Sequence, residues 1–145
     1  DNEQRLRHDV GFAVCLVDRE NDHNHVIGEV AILHVDYVNQ HGETASWMFD
    51  PAYRGSGYGS EAKHLLLDYC FNTLGLRAVT SCVSTENARS AAALRKQGYR
   101  EVGVRPWLEL DHGFLSGDII FHLTAEDWRA LPRATAAPTH ESEDA

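Results

Sequence analysis

Residues 54–60, Arg-Gly-Ser-Gly-Tyr-Gly-Ser, stand between a β-rich stretch and an amphipathic helix, and few folds place a glycine-rich turn there. Upstream, Phe12 to Val17 (FAVCLV), Val26 to Val35 (VIGEVAILHV) and Thr44 to Phe49 (TASWMF) are apolar and β-branched, which predicts three strands. A polar loop joins the first two as a hairpin, and Asp50-Pro51 stops the third. Downstream, Ala62, Leu65, Leu66, Tyr69, Cys70 and Thr73 share one face of a helix over about residues 60–74. Leu67 and Phe71 widen that face, and Gly75 offers the stop.

Beyond it, Ala78 to Ser84 (AVTSCVS) reads as a buried strand, and Asn87 is placed to cap a second helix ending before Gly98. Tyr99 to Arg105 and Asp118 to Leu123 predict two more strands around a loop from Pro106 to Gly117, and residues 124–128 predict a short capped helix. The order implies an α/β chain with a mixed sheet, in which a right-handed crossover makes the strands flanking the first helix parallel. The glycine turn then joins the carboxyl end of a strand to the amino end of a helix, a natural place for an anion.

Three phosphate-binding patterns compete for the turn. A P-loop needs Gly-Lys-Ser/Thr, and no lysine is present. A dinucleotide fingerprint would need a third glycine where Ser60 stands, and the antiparallel strands upstream do not make repeated βαβ units. Arg-x-x-Gly-x-Gly is met by Arg54, Gly57 and Gly59: backbone N–H groups of a tight turn, a helix dipole and a guanidinium directed at a pyrophosphate. An ordinary turn that uses glycine for positive φ remains the alternative.

WMFDPAYRGSGYGSEA, then NARS at Asn87 to Ser90, LRKQGYREVGVR and GDIIFHLTAEDW follow one another at spacings that resemble the GNAT superfamily of N-acetyltransferases. Within it the chain looks like the RimJ/RimL type, the ribosomal-protein N-terminal acetyltransferases, from about Phe12 to Trp128. The resemblance implies acetyl-CoA as cosubstrate without a metal, and direct attack of a neutral amine on the thioester. It implies a GNAT fold with antiparallel N-terminal strands, a central parallel pair splayed around CoA, and flanking helices. That fold ordinarily opens with a strand and two helices, so the expectation is one domain over residues 1–131 lacking an N-terminal segment, then a flexible acidic tail at 132–145.

Carried over by motif, the CoA-binding set is Arg54, Gly55, Ser56, Gly57, Tyr58, Gly59 and Ser60, with Asn87 touching the cofactor from the far side. A backbone N–H near Trp47, Met48 or Phe49 is expected to face the thioester oxygen as it gains charge. Where many members carry a tyrosine that protonates the leaving thiolate, this chain has Leu94, so the task passes to Ser90, which could equally be a first-turn residue bonding the helix backbone. Glu109 is the favoured base for the acceptor amine, with Asp111 one slip of register away and Glu43 the other candidate. Cys82, mid-strand among Val79, Thr80 and Val83, reads as a buried small apolar residue rather than a nucleophile.

With 13 basic and 22 acidic residues the net charge is −9, which disfavours nucleic acid and favours a cationic acceptor. The acceptor is expected to be a protein N-terminus or a small-molecule amine. A degenerate domain that senses acetyl-CoA without turnover is the rival reading. Three scattered cysteines suit a reducing cytoplasm rather than a disulfide framework, no apolar run is long enough to span a membrane, and a homodimer is left open.

Overall fold

The computed structural model describes residues 7–17, 25–106 and 117–132. Strands β1 (Arg7–Leu16), β2 (His25–Asp36) and β3 (His41–Met48) form an antiparallel meander. A short 3₁₀ turn (Pro51–Tyr53) and the glycine turn lead into helix α1 (Tyr58–Asp68), which widens into a π turn over Tyr69–Thr73. Strand β4 (Ala78–Ser84), helix α2 (Ala88–Lys96), strands β5 (Arg100–Pro106) and β6 (Gly117–Thr124) and the short helix α3 (Ala125–Ala130) complete the described chain. The six strands make one mixed sheet in the order β1-β2-β3-β4-β6-β5, with β3 and β4 parallel.

The caps expected from sequence are in place. Asn87 Oδ1 accepts from Ser90 N at 3.1 Å to start α2, and Thr124 Oγ1 accepts from Asp127 N at 3.0 Å to start α3. Several strands run past their predicted ends: β1 begins at Arg7, β2 takes in His25 and Asp36, β3 begins at His41, and β6 takes in Gly117 and Thr124. Ladder pairing recruits those polar flanks, because a backbone in register bonds whatever its side chains are.

The buried face of α1 differs from the one expected. Leu65 is 63% exposed, whereas Lys63 is buried at 2% beside Ala62, Leu66, Leu67, Cys70 and Phe71. The helix is therefore rolled toward Lys63, a position that hydrophobic periodicity scores as polar. With Val30, Ile32, Val35, Val79, Ala91, Leu94, Phe121 and Leu123, these apolar residues form one core, so α1 and α2 lie on the same face of the sheet. Alternation along the strands then turns His41, Glu43, Trp47, Thr80, Cys82 and His122 to the opposite face.

Candidate active site

The parallel pair β3 and β4 is in register at only three rungs: His41 with Ala78, Gly42 with Val79, and Glu43 with Thr80. Past that point each strand keeps its outer partner: β3 stays paired with β2 to Met48, and β4 with β6 to Ser84. The two facing edges therefore diverge, leaving backbone donors and acceptors directed into a wedge. Side chains close its root: Ser81 Oγ donates to Thr44 O at 3.0 Å, Thr44 Oγ1 donates to Thr80 O at 3.3 Å, and Tyr99 Oη shares a 2.6 Å hydrogen bond with Thr44 Oγ1.

Which of the three expected residues offers its N–H to the wedge follows from this pairing. Phe49 N donates to Ile27 O at 2.9 Å, so that donor is spent on β2 and the Phe49 expectation is corrected. Strand alternation sends the neighbouring Met48 N–H the other way, into the wedge. Met48 O lies on the same side, where it accepts from Arg54 Nη2 at 3.3 Å. Trp47 presents its backbone to β2, since a β-carbon added to Gly28 would lie 2.4 Å from Trp47 O. Its indole, half exposed, stands on the face away from the helices.

The glycine turn closes over the mouth of the wedge. Gly55 and Gly57 have φ of +79° and +87°, a region that side chains strain to enter. Gly57 caps α1 without any side-chain bond, and the first intrahelical bond runs from Glu61 N to Gly57 O. The N–H groups of Tyr58, Gly59 and Ser60 consequently have no intrahelical partner. Gly59 sits over the end of β3, with Met48 Cγ 3.8 Å from where its β-carbon would be. The Tyr58 ring packs edge-on against Tyr53 at 6.2 Å between centroids. Free amides, a helix N-terminus and Arg54 fit a pyrophosphate.

Arg89, which the motifs did not single out, joins them. Its Nη2 is 4.0 Å from the position of a Gly55 β-carbon, and it makes no ion pair with another described residue. Only the crossover that brings the start of α2 beside the turn reveals it.

A Gly57→Asn protein tests the turn. Asparagine tolerates positive φ, and no atom of the protein lies within 4 Å of the new β-carbon, so stability should fall by less than about 1 kcal/mol. The side chain would occupy the space a phosphate needs, and CoA-induced thermal stabilisation should disappear. Undiminished stabilisation would show that the turn does not hold phosphate. The strain at +87° makes valine there a poorer probe, since a β-branched side chain would itself destabilise the turn.

The remaining candidates are placed as follows. Ser90 is half-buried in the first turn of α2, with its N–H bonded to Asn87 and its hydroxyl free of described partners. Asn87 Oδ1 is committed to that cap. Leu94 is buried in the core and brings no proton donor. Glu43 stands half-buried at the last paired rung, on the face away from the helices. Glu109 and Asp111 lie outside the described residues. Cys82 is half-buried rather than buried, and its thiol is pushed above the usual range by burial and then by Glu43, which suits it poorly to nucleophilic attack. Among the described residues no group of three or more His, Cys, Asp or Glu side chains is placed to hold a metal ion.

Comparison with known proteins agrees with this geometry. The chain is 32% identical over 82 residues to the uncharacterised N-acetyltransferase YnaD of Bacillus subtilis, covering 57% of this chain and 47% of that protein. It is 26% identical over 102 residues to YjcK of the same organism, named a probable N-acetyltransferase, covering 70% and 55%. The chain thus spans about half the length of the curated relatives it matches. The fold superposes on the spermidine N-acetyltransferase SpeG of Vibrio cholerae with a TM-score of 0.72, over 85% of this chain and 70% of that one, at 19% identity. The profile of the acetyltransferase (GNAT) domain matches residues 2–100, more than half of the chain, and the chain belongs to that family.

Proposed function

We propose that the protein transfers an acetyl group from acetyl-CoA to a primary amine of a small, cationic acceptor. The observation that carries this reading is the wedge between β3 and β4, open after Glu43 and Thr80, with the glycine turn at its mouth. The turn, Arg54 and Arg89 hold the pyrophosphate, and the pantetheine arm lies along the open edge of β3. Met48 N–H donates to the thioester oxygen as it gains charge. Glu43 faces the acceptor side and takes the proton that frees the amine lone pair. Ser90 returns a proton to the departing thiolate. Attack is direct, and no side chain is acylated.

A small cationic acceptor is supported by the sheet face on which it would arrive. Glu29 and Glu43 lie on that face with the exposed indole of Trp47, in register opposite Glu29, a combination that attracts an ammonium by charge and by its ring. The narrower RimJ/RimL assignment, with a protein N-terminus as acceptor, has no comparable support, and nothing favours an acetyl-CoA sensor without turnover.

Release of free CoA thiol, measured with a panel of polyamines, monoamines, aminosugars and peptides, tests the reading. Polyamines or other small diamines should be the best substrates. A protein that binds CoA yet releases no thiol with any amine would overturn the proposal of transfer, and one preferring peptides would overturn the acceptor class.

A further inference from the structure

On the acceptor side of the sheet, Glu43, Thr80 and His122 occupy one row across β3, β4 and β6, because Glu43 pairs with Thr80 and Thr80 with His122. His41 stands two residues from Glu43 on the same face of β3, at the closed end of the wedge, and reaches across β4 to lie parallel to the His122 ring. The ring centroids are 6.4 Å apart at an interplanar angle of 15°. His41 is therefore the nearer of the two imidazoles to Glu43, and His122 stands in the Glu43 row two strands away. Both imidazoles are half-buried, as is Glu43 itself.

We propose that the His41–His122 pair carries the acceptor's proton from Glu43 to solvent, so that the base is reset after each turnover. The inference rests on the reading of Glu43 as the base. One proton must leave per cycle: an ammonium acceptor carries one more proton than the neutral amine that attacks, and the proton lost later from the acylated nitrogen ends on the CoA thiol. The amine N–H bond breaks, leaving its electron pair on nitrogen, and a Glu43 O–H bond forms. That O–H bond breaks in turn as an N–H bond forms on neutral His41, giving an imidazolium. His41 then passes its proton through His122 or directly to water, regenerating carboxylate and imidazole.

His41 suits this passage because it is held neutral. Burial first, then the His122 ring, pull its imidazole below the usual value, against opposing pulls from Asp36 on β2 and Glu43 on its own strand. The other charged groups on this face are Glu29 on β2, Asp118 on β6, ion-paired with Arg105 of β5 at 3.1 Å, and Arg100 of β5, which pairs with Asp127 at 3.2 Å. Both arginines are thus neutralised before they could repel a second cation. A neutral imidazole near pH 7 can accept from a carboxyl group and release to water without a large barrier in either direction.

His41 is a positioning and relay residue in this scheme, so its test reads proton traffic. His41→Phe keeps a flat ring against His122 and should leave CoA-induced thermal stabilisation unchanged. Turnover in weakly buffered solution near pH 7 should fall on the order of tenfold. Added imidazole should restore it in a saturable manner, while the wild type remains indifferent to buffer concentration. Glu43→Gln should stay slow whatever the imidazole concentration. A His41→Phe enzyme with wild-type turnover and no response to imidazole overturns the relay while leaving Glu43 as base. A Glu43→Gln enzyme as fast as wild type overturns the base itself and the relay with it. His41→Gln serves the same readout should the phenylalanine protein fail to bind CoA, and the double variant with His122→Phe should respond to imidazole at least as strongly.

Discussion

Glu43→Gln should slow turnover of the true acceptor by about a hundredfold or more near neutral pH, the usual yield of a positioned general base. Glutamine keeps the shape and hydrogen bonding of glutamate at the last paired rung of β3 and β4, so the wedge should remain intact. What it loses is the ability to take a proton from an ammonium. Raising the pH should restore part of the rate, because a growing fraction of the acceptor is then already neutral. Affinity for acetyl-CoA should change little, since the turn proposed to hold its phosphates lies around Gly57 and Arg54, away from the last paired rung. Measuring kcat against pH for both proteins decides the matter: a Glu43→Gln profile that overlays the wild type would place the base elsewhere. Glu109→Gln would be the next protein to make.

Much of this architecture was legible because local patterns and global topology agree. The glycine turn could be read as lying between a strand and a helix, the two helix caps could be read from Asn87 and Thr124, and β4 from its run of small and β-branched residues. The parallel relation of β3 and β4 followed from the handedness of the crossover alone. Three things were not legible, each for a tertiary reason. Which backbone amide faces the wedge depends on the register of β3 against β2, visible only once Phe49 is seen bonded to Ile27. Arg89 comes to the turn through packing of α2, and His41 meets His122 across 81 residues of chain through the order β3-β4-β6. No window of local sequence contains either contact.

Lys63 is the plainest conflict between pattern and packing, and it yields the largest expected change in stability. Its side chain is buried at 2% in the contact between α1 and the sheet, with no hydrogen bond or ion pair to another described residue. Its nearest charge-stabilising neighbour is the ring of Tyr99, whose centroid lies 5.5 Å from Nζ. Burial lowers its ammonium from the ordinary 10.5 to about 8, against an opposing pull from Cys70. Below about pH 8 both the folded and unfolded chains hold the proton, and the fold bears the full cost of a buried charge. From about 8 to 10.5 the folded chain has lost the proton that the unfolded chain still binds, so stability rises with pH across that window. Above 10.5 both are neutral and the cost has gone. The shift corresponds to roughly 3 kcal/mol. Lys63→Met retains the aliphatic stem without the charge, so at pH 7 it should be more stable than wild type by about that amount, a rise in Tm on the order of 10 °C. The advantage should shrink steadily between pH 8 and 10.5. Denaturant unfolding of both proteins at pH 7, 9 and 10.5 reads the difference directly, and a methionine variant no more stable than wild type at pH 7 would mean that the ammonium is solvated or paired in the folded chain.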